Sequence, residues 1–72
     1  MIHENFFIRK NSPELIKILE DAGYRRSKYC NEGIYLFIED GIIMQTYSPP
    51  YKKHTDFGVD EKKFIEYATT IS

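Results

Sequence analysis

The 72-residue chain carries ten Lys and Arg against eleven Asp and Glu, a formal charge of −1, and 42% of its residues are hydrophobic and 15% aromatic. That balance removes the bulk electrostatic attraction behind non-specific nucleic-acid binding, and the apolar content excludes an intrinsically disordered chain. A single cysteine, Cys30, excludes a disulfide within the monomer, and no apolar run approaches the roughly 18 residues that a membrane span needs.

The opening MIHENFFIRK has neither the basic nor the apolar region of a secretory leader, so the expected location is the reducing cytoplasm. Residues 1–72 are expected to form one domain. A chain of this size buries only about 60% of the surface its unfolded form exposes, which makes oligomerisation an expected supplement to the core.

In chain order, Phe6 to Ile8 is a short β-prone run. NSPELIKILEDAG then predicts a helix with both ends marked: Ser12 as N-cap, Pro13 at the first helical position and Gly23 just past the end. Leu15, Ile18, Leu19 and Ala22 recur at helical spacing and form its expected buried stripe. Tyr24 to Cys30 reads as an exposed strand, and Asn31-Glu32-Gly33 as a turn.

Asp40-Gly41 is the dipeptide preferred by a two-residue type I′ hairpin. It sets a register of Tyr35 opposite Thr46, Leu36 opposite Gln45, Phe37 opposite Met44, Ile38 opposite Ile43 and Glu39 opposite Ile42. One face of that hairpin then carries Ile34, Leu36, Ile38, Ile43 and Tyr47, and the other Tyr35, Phe37, Ile42 and Met44. A half-solvated antiparallel strand alternates apolar with polar instead. The second face therefore needs cover, either from the long loop or a helix edge, or from another copy of the chain. Tyr35, Phe37, Ile42 and Met44 are the candidate interface.

The two prolines of SPPYKKHTD make it a loop, and TDFG offers a short edge strand. VDEKKFIEYATTI predicts a second helix with Asp60 as N-cap, a hydrophobic staple between Val59 and Phe64, and a buried stripe of Phe64, Tyr67, Ala68 and Ile71. The expected fold is α+β: a two-layer sandwich of two helices on an antiparallel sheet of three to five strands, in the order β-α-β-β-β-(β)-α.

FFIRKNSPELIKILEDAGY and DFGVDEKKFIEYAT resemble segments of short uncharacterised α+β proteins encoded by phages and mobile elements of gut bacteria. The resemblance covers less than half the chain. It implies a mobile-element accessory protein that binds rather than catalyses, and it transfers no site residues.

Chemistry-bearing constellations are sparse. A nucleophilic Cys30 needs His3 or His54 beside it, and no local signature surrounds it. His54 with Asp56, and His3 with Glu4, are donor pairs without zinc-site spacing, while Glu39 and Asp40 adjoin a turn where solvated carboxylates are expected. YLFI could stack bases, but the absence of a strand after the second helix is wrong for an RNA-recognition fold. No catalytic residue, metal site or cofactor is expected.

Two basic clusters stand beside aromatic residues: Arg25, Arg26 and Lys28 with Tyr29, and Lys52, Lys53 and His54 with Tyr51. Cations next to aromatic faces suit phosphates and stacked bases, which makes these eight residues the candidate ligand set; solvated edge and loop charges are the plainer reading. The expected function is a small non-enzymatic binding protein, homodimeric or higher, whose target is a host protein or an anionic nucleotide-like ligand. The alternative is an orphan structural or regulatory domain that acts through homo-oligomerisation and has no small-molecule site.

Overall fold

The computed structural model describes residues 5–49 and 53–70, and at Cys30 the backbone alone. His3, Glu4, Pro50, Tyr51, Lys52, Ile71 and the Cys30 thiol lie outside the described residues. The elements are β1 (Phe6–Ile8), α1 (Pro13–Asp21), β2 (Arg25–Asn31), β3 (Tyr35–Glu39), β4 (Ile42–Thr46), β5 (Thr55–Asp56) and α2 (Glu61–Thr69).

Local chemistry sets the helix ends. Ser12 Oγ accepts from the Leu15 amide at 3.2 Å, and Pro13 opens α1. At the other end the Gly23 amide donates to Glu20 and the Tyr24 amide to Leu19, both at 3.0 Å, the paired closure of a Schellman motif. Asp60 Oδ1 accepts from the Lys63 amide at 3.0 Å and caps α2. Asp40 and Gly41 both take positive φ, 53° and 78°, and the five pairs between β3 and β4 have the register that this turn dictates.

The sheet order is β2-β4-β3-β1-β5, with both helices on one face, as the α+β reading expects. The sheet is mixed rather than wholly antiparallel, because β2 pairs with β4 and β5 with β1 in parallel. The hairpin places β4 between β2 and β3, so the link from β2 to β3 crosses the end of β4. Gly33 makes that crossing. A Cβ there would lie 1.9 Å from the Thr46 carbonyl oxygen, and the adjacent Ile34 amide donates to that oxygen at 2.8 Å.

Phe6, Ile8, Leu36, Ile38 and Ile43 from the sheet meet Leu15, Ile16, Leu19, Phe64 and Ala68 from the helices to form the core. Ile16 is buried while Ile18 and Ala22 are partly buried, so α1 sinks a wider sector than one stripe: it packs on both α2 and the sheet. The expected staple is absent, since Val59 is 71% exposed; Phe57 takes its place, 5.9 Å from the Phe64 ring and 5.2 Å from that of Tyr67. Ile34 and Tyr47, expected on the core face, are exposed because they lie beyond Leu36 and Gln45, the last buried pair of the hairpin.

Candidate functional site

Strand alternation and register assign five large side chains to the sheet face opposite the helices: Phe7, Tyr35, Phe37, Ile42 and Met44. The Phe7 and Phe37 rings meet edge to face at 5.7 Å, and Phe7 lies 6.4 Å from Tyr35. His54, from the connection between β4 and β5, packs against this pair, tilted at 5.7 Å from Phe37 and edge to face at 6.4 Å from Phe7. Its side chain is 1% exposed, with Nε2 3.5 Å from Glu39 Oε1. The loop thus supplies part of the cover that the second face requires.

The cover is uneven. Phe7 and Phe37 are buried, whereas Tyr35, Ile42 and Met44 remain partly exposed. Phe37, an expected interface residue, is therefore packed inside its own chain. At the β5 margin Arg9 grips Asp56 through two nitrogens, Nε at 3.1 Å and Nη2 at 2.7 Å, and its guanidinium lies 5.7 Å from the Phe7 centroid. The Arg9 hydrogen bonds, and after them the Gly58 amide at 2.8 Å, hold the Asp56 carboxyl below its ordinary pKa. The same pairing raises the pKa of Arg9. Both side chains are largely solvated, so the pair ties β5 to β1 more than it adds stability.

The described members of the candidate ligand set, Arg25, Arg26, Lys28, Tyr29, Lys53 and His54, do not converge on one place. Arg25 and Arg26 are successive on β2 and face opposite ways: Arg25 shares the face of Ile42, and Arg26 that of Ile43, where its Nε lies 3.9 Å from Glu20 Oε2. Lys28 and Tyr29 occupy an irregular stretch of β2, where five residue steps match two on β4. There the Tyr29 amide donates to Ser27 Oγ at 3.1 Å, and Asn31 Nδ2 to the Lys28 carbonyl at 3.4 Å. Lys53 and His54 lead into β5 at the opposite edge, four strand spacings away, about 19 Å. His54 is buried against rings and unavailable to a surface ligand; Tyr51 and Lys52 lie outside the described residues.

Composition brackets these residues together, but topology separates them. Phe7, conversely, belongs to the face by simple alternation with Phe6 and Ile8, a signal present in the sequence. The Arg9–Asp56 pair has no such signal, since 47 positions separate its members. Among the described residues no three His, Cys, Asp or Glu side chains converge as metal ligands, and no helix is long and apolar enough to cross a membrane.

No family model, curated protein or solved structure matches the chain. Its function has to be read from the chemistry of its own surfaces.

Proposed function

We propose that the chain is a small non-enzymatic binding protein that self-associates through the β3–β4 half of the sheet face opposite its helices. The observation that carries this reading is the partial exposure of Tyr35, Ile42 and Met44, with both described helices on the other face, beside the half that His54 already covers. The face has little net charge to oppose a second copy, because Arg9 pairs with Asp56 and the carboxylate of Glu39 is offset by Arg25 on the same face. Capture of an anionic nucleotide loses support because Arg25 and Arg26 lie on the β2 border on opposite faces, while the His54 side chain is buried against Phe7 and Phe37. A cytoplasmic location and an origin in a phage or mobile element belong to the same proposal, supported by the lone cysteine and by the two resembling segments.

The face is roughly 19 Å across five strands and 17 Å along them. Even fully covered, it falls below the approximately 800 Å² per partner of a standard interface. Association is accordingly weak and concentration-dependent. Light scattering from micromolar to millimolar protein should show the mass rising towards a dimer, and Met44→Lys should remain monomeric with an unchanged circular-dichroism spectrum. A parent chain that stays monomeric throughout removes the proposal. Phe37 is unsuited to this test, since a charge at a buried position unfolds the chain whether or not it dimerises.

A further inference from the structure

We draw no further inference here: the strongest candidate, the exposed pair Ile34 and Tyr47 at the open end of the β3–β4 hairpin, is an apolar surface patch, and nothing in the structure shows what covers it.

Discussion

Gly33→Ala is expected to be among the most damaging single-methyl changes in the chain. The added Cβ would lie 1.9 Å from the Thr46 carbonyl oxygen, 2.0 Å from its carbon and 2.4 Å from Cα, all backbone atoms that no rotamer change can move. Relief requires the crossing to lift away from β4. That breaks the Ile34 amide bond to Thr46 and the bond from Asn11 Nδ2 to the Gly33 carbonyl, both 2.8 Å. Overpacking costs about 1–3 kcal/mol. The two hydrogen bonds add about 1 kcal/mol each, giving a loss of about 3–5 kcal/mol. A 72-residue domain has a total stability of about 4–11 kcal/mol, so the variant should lose from about a quarter to all of it. Gly41→Ala is the control: its Cβ would meet nothing within 4 Å, and the positive φ alone costs about 1–2 kcal/mol. Urea titrations of the parent and both variants give the comparison. If Gly33→Ala loses no more stability than Gly41→Ala, the chain does not cross β4 as described.

Other outcomes follow from single contacts. Tyr24 Oη donates to the Ala68 carbonyl at 2.8 Å, so Tyr24→Phe should cost about 1 kcal/mol in urea unfolding. Burial, and after it Tyr67, raises the Tyr24 pKa; its contribution is therefore complete below about pH 10 and disappears as pH climbs through the folded value. The parent should lose more stability than Tyr24→Phe over that alkaline range, and parallel curves would count against the buried hydroxyl. Asp56 titrates below its ordinary range, so its contribution is present above the unfolded pKa and fades as pH falls through the lower folded one. The melting-temperature gap between parent and Asp56→Asn should thus shrink on acidification, and a constant gap would remove the Arg9 pairing as its cause. His54→Ala should uncover Phe7 and Phe37, cost about 1–3 kcal/mol and increase binding of an apolar fluorescent dye; melting and dye binding like the parent would show that His54 is not their cover.

The hairpin is legible in the sequence because Asp40-Gly41 acts locally: two residues with positive φ set the twist and offset of the strands on either side. The same holds for Ser12, Gly23 and Asp60, whose effects extend over one helical turn. The position of β2 is not legible. Turn chemistry at residues 31–33 shows that the chain reverses, but not that β4 will lie between the strands it joins. The close approach of Gly33 to Thr46 exists only once all three strands are in place. The doubled apolar faces of the hairpin correctly signal a need for cover, yet a lone histidine in a loop gives no sign that it will supply some of it. The distance from Arg25 and Arg26 to the β5 border has the same origin, since the strand order that sets it comes from long-range pairing.

Two backbone groups of β2 are satisfied within the strand itself, and this bears on how copies of the molecule could add to its border. A seven-residue border strand would ordinarily template the addition of another chain, and repeated addition yields filaments without limit. Here the Tyr29 amide is occupied by Ser27 and the Lys28 carbonyl by Asn31, the pairing register is broken between Arg26 and Asn31, and Arg25 and Lys28 place like charges along the border. The far border, β5, offers two residues and is clamped by Arg9. With in-plane growth opposed at both borders, the face-to-face contact proposed above would end at two copies, and a concentrated solution should remain clear and free of fibres.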